Sequence, residues 1–163
     1  MYHPITIGNH FIRKATKQDI SLTPAKLLSL VYIAHGWHLG TAGKPLIDES
    51  VEVWKHVPVI ASLYHLVKKY GRDQIKEEIN IRSTDPPLSD KDKKYTSMLL
   101  DKVWEEYGSH SDIELSNIIR ADNSPWHTAM KGKRDIISDE IIETHYREKV
   151  AANKREQLTH KLI

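Results

Sequence analysis

The sequence predicts a mainly α, single-domain helical bundle with a small β element. Three observations carry this reading. Cap-plus-proline helix starts stand at Thr23-Pro24 and Ser124-Pro125, a capping box stands at Ser111/Glu114, and only two short stretches, near 51–54 and 79–82, read as strands. A Ser or Thr side chain satisfies an orphan amide of the first turn, and proline at the next position loses no hydrogen bond by lacking its N–H.

Taken in order, the helix opened by Thr23-Pro24 carries Leu27, Leu30, Val31, Ala34 and Trp37 on one stripe and Leu28, Tyr32, His35 and Leu39 beside it. So little polar face remains that burial on most sides is expected. Gly40 and Gly43 are read as its stop, before Lys44-Pro45. Val51-Glu52-Val53-Trp54 alternates with period two, the strand signature. Pro58 is expected to open a helix through Leu63, Tyr64 and Val67, stopped at Gly71, and Ile79-Asn80-Ile81 is a second strand candidate before Asp85-Pro86-Pro87. Ser89 with Asp92 is a weaker capping box for a helix holding Tyr95, Leu99, Val103 and Tyr107 on one face, with Leu100 and Trp104 beside them and Gly108 at its end. The Ser111 box starts a helix through Leu115 and Ile119, and Ser124-Pro125 a short one holding Trp126. Ser138, with Asp139 and Glu140 in the first turn, suits the helix dipole and starts a terminal helix over about 138–155, polar and prone to fray beyond about 152.

At 163 residues, 39% apolar and 28% charged, the chain suits one domain over 1–163 that buries roughly 70% of its unfolded surface. No apolar run approaches the roughly 18 residues of a membrane span, and the start shows no secretory apolar stretch, so no membrane partner and a cytoplasmic setting are expected. The absence of cysteine removes disulfides, thiolate metal sites and thiol nucleophiles. A net charge of +2 falls short of the concentrated basic footprint of a dedicated nucleic-acid binder.

The search for chemistry returns little. His35 and His38, at i and i+3, could share a metal, but they stand outside an HExxH pattern and lack a third ligand at usable spacing; neither metal nor cofactor is expected. Asp48 to Lys55 resembles a nuclease core, but Glu52 and Lys55 are three apart and would point to opposite faces of a strand. Nucleophile elbows and phosphate-binding glycine loops are likewise missing from the sequence. The catalytic set is therefore left empty. Two capped segments within 111–130 could form a helix-turn-helix, so a DNA-binding or autoregulatory protein stands as the alternative reading, and a metal-dependent enzyme built on the two histidines as a further one.

The run Leu22-Thr23-Pro24-Ala25-Lys26-Leu27-Leu28, continuing through Tyr32 to His35-Gly36-Trp37-His38-Leu39, resembles the opening helix of the Panacea domain, also known as the SocA-like or phage-associated GepA-like domain. Gly43 and Pro45-Leu46, then Val53-Trp54-Lys55-His56-Val57-Pro58-Val59, Leu63-Tyr64, Lys69-Tyr70-Gly71, Val103-Trp104, Tyr107-Gly108, Leu115-Ser116 and Pro125-Trp126 follow in the family's order. The resemblance spans about 5–130. It departs from the family at His56-Val57-Pro58-Val59, where an aromatic-Gly-Pro-Val turn is usual.

The resemblance implies a prokaryotic or phage antitoxin without enzymatic activity. It would bind a cognate protein toxin and neutralise it directly or, as an adaptor, deliver it to a protease. Leu27, Leu28, Tyr32, Gly36, Trp37, Pro45, Trp54, Pro58, Tyr64, Trp104 and Trp126 would be its structural signature, with Trp37, Trp54 and Trp126 read as core. For the partner surface the candidates are Lys55, His56, His65 and Lys68, with Tyr146 and Arg147 on the terminal helix. Cations, imidazoles and an aromatic on a loop held by rigid elements suit an acidic or phosphate-binding toxin surface.

Overall fold

A computed structural model describes residues 1–81 and 90–162, with side chains through Leu158. Among the described residues, seven α-helices accompany a three-stranded antiparallel sheet. The helices are α1 (Pro4–Gln18), α2 (Pro24–Ala42), α3 (Ala61–Val67), α4 (Asp90–Tyr107), α5 (Asp112–Ile119), α6 (Pro125–Lys131) and α7 (Asp139–Leu162). The strands are β1 (Val51–Val53), β2 (Pro58–Val59) and β3 (Ile136–Ile137), in the order β2-β1-β3.

The apolar helix α2 is the axis. It packs against α1, α3, α4, α5 and α7, most extensively α7, and its Leu27, Leu30, Val31, Ile33 and Leu39 are all buried. Thr23 caps it as expected, its hydroxyl accepting from Lys26 N at 3.3 Å. The helix runs through Gly40, however, and stops only at Gly43, whose φ of 67° suits a residue without a Cβ. Gly40 is a packing residue: a Cβ there would lie 2.8 Å from the carbonyl carbon of Tyr146 on α7.

The capping box of α5 forms with both bonds, Glu114 N to Ser111 Oγ at 3.2 Å and Ser111 N to Glu114 Oε2 at 3.1 Å. Ser124 Oγ caps α6 and Ser138 Oγ caps α7. The proposed Ser89 cap of α4 lies outside the described residues. On α4 the buried face is Thr96, Leu100, Val103 and Trp104, while Tyr95 is exposed. The terminal helix continues to Leu162, past the expected limit near 155.

Three further differences from expectation have identifiable causes. Helix α1 was not foreseen, although Ile5, Gly8, Phe11, Ile12 and Ala15 form its buried stripe; its cap is the imidazole of His3, outside the usual capping set. Pro58 belongs to β2, paired with Val53, and α3 begins only at Ala61. The strand expected at 79–82 does not form over its described residues, 79–81. Side chains of α1 hold that stretch instead. The Asn9 amide donates to Ile79 O at 2.9 Å and accepts from Ile79 N at 2.8 Å, Arg13 pairs with Glu78, and Thr16 Oγ1 donates to Lys76 O. Both backbone groups of Ile79 are thus taken by the Asn9 side chain in place of a partner strand.

Candidate partner-binding surface

The turn between β1 and β2 is where three other elements converge. Val51 is buried and Glu52 faces outward, so Trp54, two residues beyond Glu52, also faces outward. Trp54 N donates to Val57 O at 3.2 Å and closes the turn. From α6, Trp126 Nε1 donates to Trp54 O at 3.1 Å; from the end of α5, Arg120 Nη1 donates to His56 O at 3.3 Å. The Arg120 guanidinium also lies 5.9 Å from the Trp126 ring centre, and from α3 the Tyr64 ring meets Trp54 edge-on at 4.9 Å. Trp54 Nε1 reaches Glu52 Oε2 at 3.3 Å. The result is an aromatic surface cluster of Trp54, Tyr64 and Trp126 with a guanidinium laid against it.

Trp54 is thereby not a core residue: it is 37% exposed. It follows β1 on the Glu52 side, opposite buried Val51, so the alternation of the strand turns this ring away from the core. Trp37 and Trp126 are half-buried, and the deeply buried tryptophan is Trp104, stacked near Phe11 and donating to Gln18 Oε1 at 2.9 Å. Of the other signature positions, Leu27, Tyr32, Gly36 and Pro58 are buried, and Leu28, Pro45 and Tyr64 half-buried.

Lys55 and His56 sit exposed on the β1–β2 turn. His65 is exposed with its ring 5.5 Å from Tyr64, and Lys68 is exposed just past α3. The structure thus strings these four along one turn and the helix that packs on it. Tyr146 must be withdrawn from the group. It is 4% exposed, wedged against Gly36 and Gly40 with its ring 5.3 Å from Trp37, because the buried stripe of α7 passes through Ile142 and Tyr146. Burial holds its hydroxyl well above the usual tyrosine range, with Tyr32 and Tyr107 adding to the effect. Arg147 is exposed but belongs to α7 beside Gly43, where it pairs with Glu143 at 2.5 Å. Arg120 was missed. It looks like any helix-end arginine, and its role rests on a bond to a carbonyl 64 residues away.

The two histidines of α2 are separately engaged. His35 Nδ1 accepts from Leu46 N at 3.3 Å, so Nε2 carries the proton donated to Asp139 at 3.0 Å. His38 Nδ1 donates to Lys44 O at 2.6 Å. Among the described residues no cluster of three His, Cys, Asp or Glu side chains is placed to hold a metal ion. No described helix is long and apolar enough to cross a membrane. In the would-be helix-turn-helix, the first turn of the seven-residue α6 is occupied, Pro125 by burial and Trp126 by its bond to the β1–β2 turn.

Comparison with known proteins places the chain in a family. The family described as Antitoxin SocA-like, Panacea domain, matches residues 27–127, which include most of α2, the sheet turn, α5 and the start of α6. The chain is also similar to the antitoxin SocA of Caulobacter vibrioides (strain NA1000 / CB15N), 27% identical over 133 residues, covering 77% of this chain and 69% of that protein. No solved structure matches significantly.

Proposed function

Given that this chain belongs to the SocA-like antitoxin family with a Panacea domain, we propose that it is a protein-binding antitoxin that neutralises a cognate protein toxin by direct contact, without catalysis. The observation that carries the reading is the exposed tryptophan Trp54, held in place by Trp126 and Tyr64. Trp, Tyr and Arg are the residues that most often dominate binding energy, and a ring already fixed by its neighbours loses little entropy on docking. Lys55, His56, His65 and Lys68 rim this centre and are the proposed polar contacts. The patch is one contiguous surface, which is what masking a toxin requires; delivery to a protease would need a second surface for the protease.

The test is co-expression with the product of the adjacent gene, scored by growth and by co-purification. Wild-type protein is expected to restore growth and to co-purify in a defined complex, and Trp54→Ala to lose both while remaining folded. If the wild-type chain neither restores growth nor binds, the antitoxin reading is wrong.

A further inference from the structure

We propose that the Trp54 surface is built for an acidic protein face: a carboxylate-bearing segment of the partner whose apolar side chain packs on Trp54 while its carboxylates meet Arg120 and Lys55. The proposal rests on the antitoxin reading above and adds the chemistry of the partner.

Arg120 is the first argument. Its guanidinium is exposed at the end of α5, yet it is fixed on two sides, by the bond to His56 O and by the Trp126 ring. A free arginine gives up considerable rotamer entropy when it binds; one already tethered by a hydrogen bond beside an indole gives up less, and its planar fork fits a carboxylate with two parallel bonds. Such a residue is prepared for an anion.

The second argument is the charge around it. The β1–β2 turn supplies Lys55 and His56, and Lys68 lies one helical turn beyond Tyr64. The bond from Val53 N to Asp135 O, 2.8 Å long, draws the α6–β3 turn alongside, with exposed Lys131 and Lys133. Nearby carboxylates are partly engaged: Glu52 accepts from the Trp54 indole, and Asp122 stands 3.7 Å from His127. Cations therefore predominate, and a face of opposite sign would be steered toward it and held in register.

The carboxylates also separate a protein partner from a nucleic acid. Glu52, Asp122 and Asp135 are interleaved with the lysines, and each would repel the evenly charged phosphate backbone, whereas a protein can match them singly with its own cations. Of the clustered Trp54, Tyr64 and Trp126 rings only Trp54 is exposed, which makes an anchor for one side chain rather than a platform for successive bases.

The experiment titrates the purified product of the adjacent gene against wild-type protein, Trp54→Ala, Arg120→Glu, Arg120→Lys and Lys55→Glu, at low and high salt. Expected is a loss of roughly tenfold or more in affinity for Trp54→Ala and Arg120→Glu, and a smaller loss for Arg120→Lys. The association rate should fall with salt, and a Glu→Lys change in the partner should restore binding to Arg120→Glu. Thermal melts show that each variant is folded; should Arg120→Glu fail to fold, Arg120→Gln with Lys55→Glu replaces it. If wild type binds and restores growth but none of the folded variants loses affinity, this surface is wrong and the antitoxin reading stands. If wild type itself neither binds nor restores growth, both fail together. If the same variants instead lose affinity for a duplex or single strand of about 20 nucleotides, the surface serves nucleic acid and the acidic-protein proposal is overturned.

Discussion

A methyl group on Gly36 would lie within 2.6 Å of Tyr146 Cδ2, and one on Gly40, a turn later, within 2.7 Å of Tyr146 Cβ. Helices α2 and α7 therefore meet backbone to backbone at one tyrosine. Gly36→Ala gains about 1 kcal/mol of helix propensity but overpacks the interface by about 1–3 kcal/mol. Its expected outcome is a net loss in urea unfolding, with Gly40→Ala more damaging because Tyr146 main chain blocks it. A double-mutant cycle separates the two: adding Tyr146→Ala relieves the ring clash at Gly36 and leaves the backbone clash at Gly40, so only the first pair couples favourably.

The tryptophans should divide sharply. Trp104→Ala removes a buried ring, and a loss of about 3–5 kcal/mol is expected. Trp54→Ala removes a ring already 37% exposed and should cost much less stability while weakening partner binding about tenfold or more. Equal losses of stability in chemical denaturation would contradict this division.

Tyr32 is buried with a hydroxyl that meets no partner among the described residues, and burial pushes its ionisation above the usual tyrosine range. A buried unsatisfied hydroxyl costs about 1–3 kcal/mol. Tyr32→Phe keeps the ring and removes the liability, so the variant is expected to unfold at higher urea than wild type.

Acid should weaken the fold. Burial lowers the proton affinity of His10, His38 and His145 below the ordinary value of 6.5, in His10 against the opposing pull of Asp101. Below 6.5 the unfolded chain takes up protons that the folded chain refuses, so stability falls as pH drops toward the depressed folded values. The slope is at most about 1.4 kcal/mol per pH unit for each proton. Asp101 acts in the same direction at lower pH. Burial raises its proton affinity, but Lys14 and His10 together outweigh that and hold it below the usual carboxylate range, so its contribution is lost as pH falls through the folded value. Melting temperatures from about pH 7.5 to about pH 5 should decline, and more shallowly for His10→Gln.

Helix starts were legible because capping is local chemistry. Thr23, Ser111, Ser124 and Ser138 each satisfy an amide three residues away, within reach of a short sequence window. What could not be read depends on distant partners. Gly40 looks like a stop until α7 is known to lie against it, and Tyr146 looks like a surface aromatic for the same reason. Ile79 and Ile81 flank Asn80 as a strand would, but the pairing groups come from the side chain of Asn9, 70 residues earlier. The candidate surface was half legible: Lys55 and His56 follow a strand and announce a turn, whereas the outward face of Trp54 and the place of Arg120 are settled by contacts with α3 and α6.

The contact of His35 with Asp139 spans 104 residues, and the α7 that it fixes covers an α2 apolar on nearly every side. During synthesis at about 5–20 residues per second, α2 therefore waits roughly 5–20 s after leaving the ribosome before its covering helix can be made. Through that interval its Tyr32-to-Leu39 wall is open to chaperones and to other nascent chains. Ribosome-bound chains halted before Ser138 should be cleaved readily within α2, and full-length chains released from the ribosome should resist. For this protein the vulnerable moment is its birth, and the helix outside the family's matched span is what brings it to a close.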